Sequence, residues 1–318
     1  MKGYMESIPE LVHKLGHSAD YFERQKAAWA LVNIGDEAVD ALVEALETGE
    51  FSDLRYKAAW ALGKIGNSRA VEPLGNALLS DTDYVVREWC AAALEAVGDS
   101  AAIPYLVQAI KEDSSKDVRL RAFIALRGLG AIEAFLSLLK APEPENRGMA
   151  ITALAKLNCQ DAVDKIAYFC DDEDAEVRRR CAGFMGEFCS QESLQCLAKS
   201  LKDSQPEVRT EALKSLGRIK GEQACYLALS SLEDEDAAVR LNAVTALGEM
   251  GNSIALDRLV EVMFGQDEPE IRAWSAWSLG EIGDARAIEH LIKAYKTCPI
   301  EVMRRAKASL EEVFNISP

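Results

Sequence analysis

Three histidines, eight cysteines and five tryptophans are the residues of this 318-residue chain best suited to chemistry or ligand binding. His13 and His17 stand i,i+4. On a helix that spacing puts both rings on one side, which suits a metal ion. No Glu completes a His-Glu-x-x-His zinc site, and His290 stands alone, so an exposed pair on the first helix is expected. The cysteines form no Cys-x-x-Cys pair and no disulfide framework. Five of them (Cys159, Cys170, Cys181, Cys189, Cys196) crowd the middle of the chain without metal-ligand spacing. They read as small buried hydrophobes in a reducing cytoplasm, with Cys189 the candidate for exposure and reactivity. No phosphate-binding loop, nucleophile elbow or dinucleotide fingerprint occurs. No catalytic residue, metal or cofactor is expected from these patterns.

The tryptophans carry more. Trp29, Trp60, Trp89, Trp274 and Trp277, with Tyr56, are interleaved with Lys26, Lys57, Lys64 and Arg121. Trp beside Lys or Arg can hold an aromatic or anionic group, and Trp is enriched at binding hot spots. This makes those ten residues the candidate ligand or partner groove, provided the fold puts them on one face.

What positions them is a repeat. A Val-Arg-x-x-Ala-x-x-x-Leu pattern recurs from Arg24, Arg55, Arg87, Arg119, Arg147, Arg178, Arg209, Arg240 and Arg272, with a degenerate copy from Met303. The steps are 31, 32, 32, 28, 31, 31, 31, 32 and 31 residues, a period diagnostic of a solenoid. Counting from each Arg, position +3 is small, +7 is Leu in nine copies and Met185 in the sixth, and +10 is apolar. Offsets of 3, 7 and 10 share one face of a helix. Gly at +11 in six copies marks a left-handed helix stop. A second, shorter apolar pattern follows, as in Ala70-Val71-x-x-Leu74-x-x-Ala77-Leu78, so each copy is two antiparallel helices. Offsets +2, +5 and +9 point away from the buried stripe. All five Trp fall at +2 or +5, and Tyr56 at +1 flanks them.

An acid stands four residues before the Arg in six copies (Asp20, Asp83, Glu143, Asp174, Asp236, Glu268). It is a candidate N-cap and a candidate partner in an Arg–acid ladder between copies. The 28-residue step shortens one first helix to about Ile132–Lys140, ahead of Pro142 and Pro144. Prolines stop helices, so the short copy near 131–146 is either a tolerated deletion in a single 1–318 solenoid or a boundary between 1–140 and 141–318.

Stretches such as Val239-Arg240-x-x-Ala243-x-x-Ala246-Leu247-Gly248-x-x-Gly251 resemble the HEAT-repeat family, in particular its phycobilisome-lyase-like subclass. The resemblance covers about 5–315. It implies an all-α, right-handed α-solenoid of about ten two-helix HEAT-like repeats, whose Val-Arg helices line the concave surface. Paired helices are predicted near 5–17/20–34, 36–47/53–65 and 68–79/83–97, ending on one near 299–314.

The commonest role of this fold is a non-catalytic scaffold that binds a protein partner in its groove. A second reading rests on Arg55-Tyr56-Lys57-Ala58-Ala59-Trp60-Ala61-Leu62-Gly63 and Asp83-Tyr84-Val85-Val86-Arg87-Glu88, which look like segments of E/F-type phycobilin lyase subunits. It implies a linear tetrapyrrole ligand and a phycobiliprotein partner. These stretches lie close to the generic repeat, and Ala61 stands where that family has a second Trp. The HEAT-like deoxyhypusine hydroxylases hold iron on His-Glu dipeptides, and no His here precedes a Glu. A HEAT-like DNA glycosylase is disfavoured by the net charge of −16, which opposes phosphate binding and nucleic-acid partners in general. No apolar run approaches the roughly 18 residues of a membrane span. Met1–Glu6 leads into Ile8, Leu11, Val12 and Leu15 as an amphipathic helix rather than a signal peptide, and the cysteine usage leads to the expectation of a cytoplasmic protein.

Overall fold

The computed structural model describes residues 6–317. The reading of Met1–Met5 therefore lies outside the described residues. Among the described residues the chain is all-α, with no strand and with helices α1 to α20 arranged as ten consecutive pairs. It divides into two compact units, 1–153 and 154–318, with the division inside one helix.

The first unit holds α1 (Ile8–His17), α2 (Tyr21–Ile34), α3 (Val39–Thr48), α4 (Ser52–Ile65), α5 (Val71–Ser80), α6 (Tyr84–Val97), α7 (Ile103–Glu112), α8 (Lys116–Gly128), α9 (Ile132–Leu138) and most of α10 (Pro144–Lys156). The second holds α11 (Val163–Ala167), α12 (Ala175–Met185), α13 (Gln191–Ser200), α14 (Pro206–Ile219), α15 (Gly221–Leu229), α16 (Ala237–Met250), α17 (Leu256–Phe264), α18 (Pro269–Ile282), α19 (Ala287–Thr297) and α20 (Ile300–Glu312). In several pairs the first helix opens with a 3-10 turn, as at Ser68–Ala70, Ser100–Ala102 and Ser253–Ala255. There Asn67, Asp99 and Asn252 each accept a bond from the backbone N–H two residues on. These α-helices consequently start about three residues later than the period alone predicts.

The core is the repeated stripe. Every +3 residue, from Ala27 to Ala306, is buried, and every +7 residue from Leu31 to Leu310 is inaccessible. Within each unit the second helix of one pair packs against the second helix of the next, as α4 does on α6 and α18 on α20. The sequence pattern did not single out what lets them approach. A Gly at +8 faces a small +6 residue of the next copy. A Cβ on Gly63 would lie 2.7 Å from the Ala93 Cα, and one on Gly248 2.9 Å from the Ser278 Cα. Ser215, Ser278 and Ser309 use that closeness to donate hydroxyls to the Ala182, Val244 and Ala276 carbonyls at 2.8, 2.8 and 3.1 Å.

Helix ends follow the expected chemistry. Gly66, Gly98, Gly251 and Gly283 take left-handed C-caps. Asp20, Asp83, Asp174 and Asp236 accept N-cap bonds, each stabilising by about 1 kcal/mol. Glu268, one methylene longer, starts α18 without such a bond.

The Arg ladder exists, but its acids are not the ones four residues upstream. Five of the repeat Args each clamp an Asp in the loop that opens the next copy, by two parallel bonds. Arg55 holds Asp81 at 2.7 and 2.9 Å, Arg87 holds Asp113 at 2.7 and 2.9 Å, and Arg209 holds Asp234 at 2.8 and 2.7 Å. Arg178–Asp203 and Arg240–Asp267 repeat the arrangement. Where an Asp stands four before the Arg it is already spent on the helix N-terminus, whereas the loop Asp is free to turn toward the preceding copy. Its own carbonyl accepts from the next Arg, as Asp81 does from Arg87 at 2.8 Å. At the short copy the clamp loosens to a single bond from Arg119 to Glu145 at 3.3 Å.

No helix of the described residues is long and apolar enough to cross a membrane.

Candidate functional site

The second helices of the first unit bring eight of the ten candidate residues onto neighbouring helices. Trp29 on α2 meets Trp60 on α4 edge-to-face, with ring centroids 5.1 Å apart. Tyr56 on α4 stacks on Trp89 of α6 at 6.1 Å. The alignment follows from register, since equal offsets in successive copies become neighbours across a stack. Trp29 is half exposed (51%) and Trp89 37% exposed, so both present ring surface to solvent. Trp60 is partly covered between them.

Between α4, α6 and α8 lies a cleft of 210 Å³ walled by Trp60, Trp89, Lys64, Glu95 and Arg121. Its floor is the close approach at Gly63, with Ala92, Ala93 and Ala96. Large rings at +2 and +5 stand over small residues at +6 and +8, so the cleft is built by the same register that builds the core. Arg121 is tied to Glu95 at 3.0 Å, while the Lys64 side chain is exposed at the edge.

One of the expected cations differs from that reading. Lys57 is only 4% exposed and pairs with Asp53. Asp53 also lies 3.4 Å from the Arg24 Nε. The Lys57 ammonium sits 5.4 Å from the Tyr56 ring centroid. A position at +2 on α4 is covered because the preceding α2 lies alongside, which helical phase within one copy does not register. Lys26 is exposed at the edge and pairs with Glu23 at 3.0 Å. Burial, followed by the hydrogen bond to Asp53, pushes the Tyr56 phenol up to about 12. Tyr56 is therefore a neutral ring and a hydrogen-bond donor, not an acid–base group at neutral pH.

In the second unit, Trp274 and Trp277 lie on α18 with centroids 5.2 Å apart. Trp274 lines an open hollow of 780 Å³ with Glu268, Glu270, Glu301, Arg304 and Arg305. The Arg305 guanidinium is 4.4 Å from the Trp274 ring centroid, so that face is already covered.

His13 and His17 are exposed and stacked on α1, centroids 4.5 Å apart. Cys189 is exposed. Cys170 and Cys196, 26 residues apart, are joined as a disulfide with Cα atoms 6.0 Å apart. Sequence spacing gave no hint of this pair, because a first helix and its neighbour one repeat on are related by the period and not by any short motif.

The HEAT-repeat family matches residues 39–127, 132–217 and 227–311. The chain belongs to the HEAT-repeat family. Residues 23–48 match the phycobilisome (PBS) lyase HEAT-like form of the repeat. No curated protein matches the sequence significantly. Among solved structures the HEAT-repeat chain is similar to a mutant of the karyopherin Kap121p (14% identity, 98% of this chain, 41% of that chain, TM-score 0.66). It is also similar to Kap121p bound to the extreme C-terminus of the protein phosphatase Cdc14p (13% identity, 97% and 46%, TM-score 0.58). It thus spans less than half of Kap121p. Human deoxyhypusine hydroxylase aligns over 97% of this chain and 96% of its own at 20% identity, with a TM-score of 0.37. At these identities the likeness to Kap121p is one of fold.

Proposed function

We propose that this HEAT-repeat protein is a non-catalytic scaffold whose second-helix face in the first unit holds an extended segment of a partner protein. The observation that carries the proposal is the cleft between Trp60 and Trp89. Its 210 Å³ is below the roughly 300–1,000 Å³ of small-molecule pockets and suits one or two anchoring side chains. That size favours a peptide side chain over a linear tetrapyrrole. Exposed indole surface beside Lys64 selects an aromatic or aliphatic anchor next to a carboxylate. The structure of the karyopherin Kap121p bound to the extreme C-terminus of Cdc14p supports a peptide as ligand class, by analogy of fold.

Peptide display against the full chain tests this. Enrichment of apolar–acidic motifs is expected, and it should disappear with Trp89→Ala combined with Lys64→Glu, two surface changes that spare the core. No enrichment, or enrichment undiminished by that double change, sinks the reading.

A further inference from the structure

Three sulfurs converge in the second unit. Beside the Cys170–Cys196 pair, the Cys181 Sγ lies 3.2 Å from the Cys170 Sγ and 3.7 Å from the Cys196 Sγ. All three residues are buried, and their sulfurs all lie within 4.8 Å of one another. They come from three elements: the 3-10 turn Tyr168–Asp171, α12 and α13.

Each is a departure from the repeat. Cys170 occupies the end of a first helix, where the other copies bury Leu46, Leu78, Ile110, Leu139, Leu201, Leu232 and Met263. Cys181 takes the +3 position that most copies give to Ala. Cys196 precedes the buried Leu197, at a register held elsewhere by residues as unlike as Pro73, Tyr105 and Arg258. Cys90 is the control within the chain. It is a buried free cysteine at the register of Cys181, and neither α5 nor α7 carries a cysteine to join it.

A disulfide uses two sulfurs and leaves the third unexplained. The Cys181 thiol donates to the Ile166 carbonyl at 3.2 Å. A bound ion accounts for all three. Metal–thiolate bonds of about 2.3 Å put sulfurs about 4 Å apart in a trigonal site, close to the spacing Cys181 already keeps. Access exists as well. A surface hollow of 460 Å³ reaches Cys170 and Cys196, and Asp164, Glu192 and Lys199 line it. The two carboxylates outweigh the one ammonium and favour approach by a cation.

We propose that Cys170, Cys181 and Cys196 form a three-thiolate site for a soft monovalent cation, copper(I), and that the disulfide is its oxidised, metal-free form. Soft thiolates suit copper(I) and zinc, but three ligands leave the zinc tetrahedron incomplete and complete a trigonal copper(I) shell. A dithiol reductant supplies two electrons and two protons to open the disulfide, becoming a disulfide itself. Binding then breaks three S–H bonds, forms three Cu–S bonds and releases three protons to solvent. The inference goes beyond the partner-binding reading and shares no residue with it.

The test uses the full chain, reduced with a phosphine under argon and titrated with copper(I) held by a coloured bicinchoninate competitor. Wild type and Cys90→Ala are expected to withdraw one equivalent. Cys181→Ala restores the usual repeat residue, so it should fold, yet it should lose more than the roughly 100-fold that removing an outer-shell partner costs. On the wild-type complex, copper-edge X-ray absorption should report three sulfur ligands and no nitrogen or oxygen. Copper left with the competitor by wild type, equal retention by Cys181→Ala, or a two-sulfur shell would each overturn the site.

Discussion

At the residue scale, the positions that break the repeat rule reveal what the rule is for. Six copies end their second helix on a Gly at +11, and all six have φ between 63° and 75°. Lys220 stands at the same offset with φ 59° and ψ −167°, a region essentially reserved for Gly. Lys220→Gly is therefore expected to stabilise the chain by about 1 kcal/mol, measured as a rise in the urea midpoint with an unchanged slope. No gain would mean that the Lys220 backbone relaxes without cost. Lys57 teaches the complementary point. Its residue type and offset marked it as a groove cation, and Asp53 together with the neighbouring helix removed it from solvent.

At the element scale, second helices stack as closely as their smallest residues allow. Gly248 faces Ser278, so an added Cβ meets the Ser278 Oγ at 2.7 Å and its Cα at 2.9 Å. Backbone cannot yield cheaply, and Gly248→Ala should destabilise by about 1–3 kcal/mol. Gly183 in α12 is the contrast. Its added Cβ would meet the Glu211 carboxylate at 3.2 Å, the flexible end of a side chain. Gly183→Ala should instead gain about 0.5–1 kcal/mol from helix propensity. Equal signs for the two in thermal melts would remove close approach as the reason for the +8 glycines.

At the scale of the whole molecule, the loop aspartates tie successive copies together, and their protonation should loosen the stack. The Arg240 bonds hold the Asp267 carboxyl below the usual range. Burial alone would raise Asp203 and Asp234, but their Arg partners and a backbone N–H outweigh it, so both are lowered as well. A carboxylate depressed in the folded state stabilises fully above its unfolded pKa of about 3.9. That contribution is lost as pH falls below this value and through the lower folded one. The melting temperature should accordingly drop steeply below about pH 4. Asp234→Asn, which already lacks the ionised clamp, should be less stable at pH 7 and lose less on acidification. An identical acid response in that variant would sink the assignment.

The sequence alone determined the class of fold and most helix positions. A 31-residue period with Ala at +3, Leu at +7 and Gly at +11 leaves few alternatives to paired helices. Local rules of helix phase and capping act within one copy, so they are visible along the chain. Phase also placed Trp29, Trp60 and Trp89 on neighbouring helices, because equal offsets stack. What only the tertiary structure decided lies between copies: the loop Asp that five of the Args clamp, the burial of Lys57, the glycine floor beneath the Trp60–Trp89 cleft, and the meeting of Cys170, Cys181 and Cys196. Each depends on side chains about 11 to 33 residues apart, whose distance is set by how one helix pair rests on the next.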